Sequence, residues 1–188
     1  SDVYKRQTLG FLESNQKDVH DLLIKYTDAC FLYLRKQVQS GADVIQIFDS
    51  WANLLTKEGL IEFSFNYINS LISALKLDPI TKNIPVIIFA RNPKCNIEEL
   101  INTSADCISL FWSMNDLNFE VAKNKVAIQG NLDPKILLES DETIKRETYK
   151  ILERFKEYPG YIFNLGHGIT PDISPDKIKY LTNIVREY

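Results

Sequence analysis

The sequence predicts an α/β fold in which βα units repeat along a parallel sheet. Two observations carry this reading. Five short β-type runs recur along the 188 residues, each followed by helical patterning. Four of the five are almost continuously apolar rather than alternating, which is how strands buried on both faces by covering helices read.

The elements follow in order. Asp18 to Gln39 is a helix that places Val19, Leu22, Leu23, Tyr26, Ala29, Leu32 and Leu34 on one broad face, with Gly41 as its stop. The first strand is DVIQIF, Asp43 to Phe48. Leu60 to Leu77 is the next helix, closed by Asp78-Pro79, and PVIIFA (Pro85 to Ala90) is the second strand. A short helix over Asn96 to Thr103 leads to CISLF (Cys107 to Phe111), and another over Asp116 to Lys123 leads to VAIQ (Val126 to Gln129). Asp141 to Glu157 is a strongly charged surface helix, and YIFN (Tyr161 to Asn164) is the last strand. Ser174-Pro175-Asp176 combines an N-cap, a first-turn proline and a first-turn acid, and it opens a helix that runs to Tyr188. No linker, repeat of low complexity or charge block interrupts the chain, so residues 1–188 read as a single domain. The pattern fits either an open doubly wound sheet or a (β/α)8 barrel. Five strands preceded by a helix are too few for a whole barrel, and a barrel lacking its N-terminal side fits the count.

Composition narrows the function classes. A net charge of -3 supplies no basic field for nucleic acid. No apolar run approaches a membrane span, and the first seven residues lack the apolar core of a signal peptide, so a cytoplasmic protein is expected. Cys30, Cys95 and Cys107 are scattered, without a CxxC, and read as buried reduced thiols. Phosphate-cradling glycine loops, HExxH and GxSxG are all absent. His20, between Asp18 and Asp21, reads as a surface residue.

In either architecture ligands bind where the βα loops gather, at the carboxyl ends of the strands. Those ends read Phe48-Asp49-Ser50-Trp51, Arg91 to Lys94, Trp112 to Asn115, Gly130 to Pro134, and Gly166-His167-Gly168. Asp49 and Ser50 serve equally well as turn caps or site residues, and Asn131 with Asp133-Pro134 suits a turn and helix start. For His167 a turn role and a binding role stand level on local sequence alone.

At these same strand ends the chain resembles the uroporphyrinogen decarboxylase family. GADVIQIFDSWANLL is similar to that family's GAxxxQxFDSWAGxL, VAIQGNLDPKILL to VxLQGNLDPxxL, and FNLGHGITPDISPDKIKYLTNIVREY to its closing FNLGHG segment. The similarity covers roughly residues 17 to 188, with residues 1–16 poorly matched. The resemblance implies a (β/α)8 TIM barrel of which this chain holds about the last five βα units. It implies a carboxy-lyase of haem and porphyrin biosynthesis that decarboxylates the four acetate side chains of uroporphyrinogen III to coproporphyrinogen III. It also implies a homodimer without metal or organic cofactor. By the same resemblance Ser50 and His167 contact the substrate and Phe48 joins the apolar wall of the cleft. No catalytic residue is assigned within these 188 residues, because the family's two arginines, its aspartate and its tyrosine have no counterpart here. The chain by itself is accordingly expected to be inactive.

Three positions depart from the family pattern: Asn53 for a glycine, Phe111 for an aspartate, and Arg91 to Cys95 for a PKGxG loop. The alternative within the same superfamily is a zinc-dependent, corrinoid-linked methyltransferase. Its HxC ligands would fall where this chain has Phe89-Ala90-Arg91, and its further cysteine near Gly166-His167.

Overall fold

The computed structural model describes residues 2–115 and 117–188, with side chains at 7–12, 14–115 and 117–188. Five parallel strands form one sheet in the order β1-β2-β3-β4-β5, so every strand lies beside its neighbours in the chain. They are β1 Ile45–Asp49, β2 Val86–Ala90, β3 Cys107–Ser109, β4 Ala127–Gln129 and β5 Tyr161–Ile162. Each falls inside or within one residue of its predicted run, and the apolar runs are buried as their composition requires: all of β2 and β3 is buried.

The register sorts side chains onto the two faces. Ile47, Ile88, Ile108, Ile128 and Tyr161 form one row, while Phe48, Phe89, Ser109, Gln129 and Ile162 form the row on the opposite face. The first row belongs to the main core with Leu71, Ile72 and Leu75 of the helix α4 (Asn66–Leu77). On the second, Gln129 Nε2 donates to Ser109 Oγ at 3.0 Å, satisfying two buried polar groups against each other.

The helices α1 (Asp2–Ser14) and α2 (Gln16–Gln39) precede β1. Sequence reading assigned no helix to residues 2–14. In α2 the predicted apolar face is only partly covered. Val19 is buried, yet Leu22, Tyr26 and Leu32 are 48%, 61% and 62% exposed. Leu22, Leu23 and Tyr26 line an apolar cavity of about 760 Å³ that also touches Phe48 and Trp51, on the side of α2 facing β1. His20 is half-buried rather than a surface residue: its Nδ1 lies 2.6 Å from Tyr67 Oη and its Nε2 3.3 Å from a Glu62 carboxylate oxygen.

The predicted helix from Leu60 to Leu77 starts earlier, at α3 (Lys57–Leu60), and widens into a π turn over Ile61–Phe65 before α4. Asp78 ends it as predicted. Its carboxylate accepts from the Ile80 amide at 2.9 Å and from Arg35 Nε at 3.0 Å. The helix α5 (Ile97–Ile101) begins on a capping box made by Asn96 and Glu99. The helix expected over Asp116 to Lys123 is only a 3-10 turn at Phe119–Val121, and Asp116 itself lies outside the described residues. The helices α6 (Asp141–Phe155) and α7 (Pro175–Glu187) start on the caps Ser140 and Ser174 and share a second core built on Leu137, Ile144, Leu181 and Ile184.

All three cysteines are free thiols, but the expectation that they are buried holds for Cys107 alone. Cys95 is half-buried and Cys30 is exposed. Burial pushes the Cys107 thiol up to about 12, which leaves it protonated and unreactive at neutral pH.

Candidate active site at the carboxyl ends of the strands

The loop after β1 is shaped by Asp49. One carboxylate oxygen accepts from the Trp51 amide at 3.2 Å and the other from Ser64 Oγ at 2.5 Å, so Asp49 ties β1 to the π turn. Its capping reading is the one realised. Ser50 is left exposed at the turn. Asp133 likewise caps the 3-10 turn Pro134–Leu138, accepting from the Lys135 amide at 3.0 Å.

Phe48 is 63% exposed and leans on Phe89, its register partner on β2, with ring centroids 5.9 Å apart. His167 lies just past β5, where Gly166 N donates to Leu132 O at 2.8 Å. Its imidazole stands edge-on to Phe89 at 6.3 Å and to Phe111 at 5.9 Å. Phe111 in turn contacts Trp112 at 5.4 Å. The structure thus joins Phe48 and His167 through Phe89 in one aromatic row across the strand ends, while Ser50 stands beside the row at its β1 end.

The two glycines flanking His167 have different reasons. A Cβ on Gly166 would sit 2.3 Å from Trp112 N and 2.5 Å from Trp112 Cα, so only glycine permits the segment after β5 to reach the loop after β3. A Cβ on Gly168 would meet nothing within 4 Å. The turn itself leaves the imidazole little tied down. Among the described residues its Nδ1 has only the adjacent Gly168 carbonyl, at 3.3 Å, and the ring is exposed.

The arrangement offers an apolar aromatic floor, an imidazole and a hydroxyl. Stacking and edge contacts suit a flat conjugated ligand, and the two polar groups can hydrogen-bond its carboxylates. Among the described residues no group of three or more His, Cys, Asp or Glu is placed to hold a metal ion.

Sequence reading did not single out Phe89, Phe111 or Trp112 as site walls. Phe89 stands where the alternative family would place a metal ligand, Phe111 where the resemblance expects an aspartate, and Trp112 opens a strand-end loop, and all three sit at the same strand ends as Phe48 and His167. Asn131 and Asn115 are strand-end residues in the sequence but without a role beyond the turn, and Arg154 is not among the expected site residues; the three converge behind Trp112. Arg154 lies on the charged helix α6 and carries no local signal of that role.

A parallel sheet of successive βα units, with its polar and aromatic groups collected at the carboxyl ends of the strands, defines a protein of the β/α-barrel class. The comparisons with known proteins place it further. The chain belongs to the uroporphyrinogen decarboxylase family, whose model matches residues 4–188. The match begins before residue 17 and takes in most of α1. It is 38% identical over 183 residues to uroporphyrinogen decarboxylase of Vesicomyosocius okutanii, covering 96% of this chain and 52% of that protein. It is 40% identical over 177 residues to the same enzyme of Chlorobaculum parvum, covering 89% and 48%. The chain spans about half the length of the curated relatives it matches. A solved methyltransferase from Methanosarcina mazei shares the fold with a TM-score of 0.68 at 20% identity, over 86% of this chain and 47% of that one.

Proposed function

We propose that this chain forms, as one domain, the C-terminal part of a (β/α)8 barrel that decarboxylates the acetate side chains of uroporphyrinogen III in haem biosynthesis. The observation that carries the reading is the family match over residues 4–188 on a chain whose aromatic row and His167 meet at the carboxyl ends of the strands. In this reading Ser50 and His167 hydrogen-bond substrate carboxylates, and Phe48 with Phe89 supplies the apolar wall. The protein acts in the cytoplasm as a homodimer.

The chemistry suits these residue types. Protonation of a pyrrole carbon makes the ring an electron sink. The bond between the acetate methylene and its carboxylate then breaks, carbon dioxide leaves, and the methylene carbon gains a proton to become a methyl group. The pyrrole carbon releases the proton it had taken up, so that one proton is consumed for each carboxylate lost. The substrate supplies the sink, so the protein's tasks are to hold a polycarboxylate, favour the cationic intermediate and keep water out. A hydroxyl and an imidazole bind carboxylates without adding a fixed charge, and an imidazole can share a proton near neutral pH. The family's arginines and aspartate have no counterpart in these residues, and the chain by itself is expected not to turn over.

The test uses the complete polypeptide with uroporphyrinogen as substrate. Losing one hydrogen bond of about 1.5–3 kcal/mol lowers turnover by roughly 10- to 100-fold. His167→Asn and Ser50→Ala are each expected to do so and to let partly decarboxylated intermediates accumulate. If neither substitution alters turnover or the intermediates, the placement of the site is wrong.

A further inference from the structure

We propose that Asn131, braced by Asn115 and Arg154, is a positioning residue for His167, acting through the backbone of Phe111 and Trp112. The proposal rests on the reading of His167 as a substrate contact.

Hydrogen bonding does little to orient the imidazole, whose only hydrogen-bond partner among the described residues is the carbonyl of the next residue. Its place is set by what surrounds it: the Phe111 ring at 5.9 Å and perpendicular, and the close approach of Gly166 to Trp112. Phe111 and Trp112 lie beyond β3, after the ladder has ended at Leu110, whose amide donates to Gln129 O at 2.8 Å. Their carbonyls are instead collected by Asn131. Its Nδ2 donates to Phe111 O at 3.2 Å, to Trp112 O at 3.4 Å and to Asn115 Oδ1 at 3.2 Å.

Asn131 is 2% exposed, and its Oδ1 is buried without a partner among the described residues. Leaving a buried acceptor unpaired is costly, so this amide is kept for what its donors hold. The loop is also gripped from outside. Arg154 reaches from α6 to donate to Asn115 Oδ1 at 3.3 Å and to the Asn115 carbonyl, and its guanidinium lies over Phe119 at 4.8 Å. Asn115 Nδ2 closes the loop by donating to Trp112 O at 3.2 Å. A continuous chain of contacts therefore runs from the surface of α6 to the wall beside the imidazole.

The test reads the imidazole directly in the complete polypeptide. The Cε1–H signal of His167 is identified by its disappearance in His167→Asn. Its ring-current displacement is measured against the urea-unfolded protein. Asn131→Ala and Arg154→Ala are each expected to reduce that displacement by half or more, in protein whose circular dichroism is native. An unchanged His167 signal in folded Arg154→Ala and Asn115→Ala overturns the proposal, and these two exposed positions decide it even if Asn131→Ala does not fold. The readout needs no turnover. Normal decarboxylation by His167→Asn would instead sink the reading of His167 itself while leaving the displacement measurement intact.

Discussion

Replacing Gly166 with alanine tests how tightly the segment after β5 is packed against the loop after β3. The added Cβ would lie 2.3 Å from Trp112 N, 2.5 Å from its Cα and 2.7 Å from its Cβ. Ordinary contact is at roughly 3.5–4 Å, so the two backbones must part by about 1 Å. Both belong to ordered main chain, which cannot swing aside as the end of a flexible side chain can. Overpacking of this kind costs about 3 kcal/mol, and the entropy lost by the unfolded chain on gaining a methyl returns up to about 1 kcal/mol. The net loss is about 2 kcal/mol. With a urea m-value of about 2.5 kcal/mol/M, the unfolding midpoint falls by about 0.8 M. Trp112 is itself at the contact, so tryptophan fluorescence reports both the unfolding and the native-state shift. Gly168→Ala is the control. Nothing lies within 4 Å of its Cβ, and it is expected to be neutral or slightly stabilising. Equal midpoints for the two variants would refute the account of why Gly166 is glycine.

Two further predictions concern stability. Thr148 is fully buried on α6 with its hydroxyl unpartnered among the described residues, so Thr148→Val, which removes that oxygen and keeps the shape, is expected to raise stability by about 1 kcal/mol in urea unfolding. At Asp78, burial pushes the carboxyl up, but the Arg35 guanidinium and the Ile80 and Thr81 amides outweigh it and hold the group below its ordinary value. A depressed carboxyl stabilises fully above its unfolded value of about 3.9 and loses that contribution as pH falls through the lower folded value. The melting temperature should therefore drop on acidification below about pH 4, by less in Asp78→Asn than in the parent. Identical acid limbs for the two proteins would contradict this.

Much of the fold was legible because burial on two faces leaves a continuous apolar imprint. PVIIFA and CISLF are buried strands for that reason, and Ser174-Pro175 announces α7 through the chemistry of its first turn. What local pattern could not convey was which partner meets an apolar face. Leu22 and Tyr26 have the spacing of core residues, yet they border a cavity because no element of the described residues fills the space between them and β1. The same limit applies at the site. Phe48 and His167 were recognisable from their motifs, whereas the walls that orient His167 come from Phe89 and Phe111, far away in sequence. Asn131 read as a turn residue because nothing in GNLDP reveals that its amide reaches back to the loop after β3.

The sequential strand order also bears on how the molecule is made. Because each strand pairs with the strands that flank it in the chain, no distant segment must arrive before the sheet gains its next member. During synthesis the edge left by one unit is the template on which the following unit condenses, so assembly can keep pace with the ribosome. Opening runs the other way. Within this sheet of the described residues β1 and β5 have a neighbour on one side only, so their amides are expected to exchange before those of β3 at the centre.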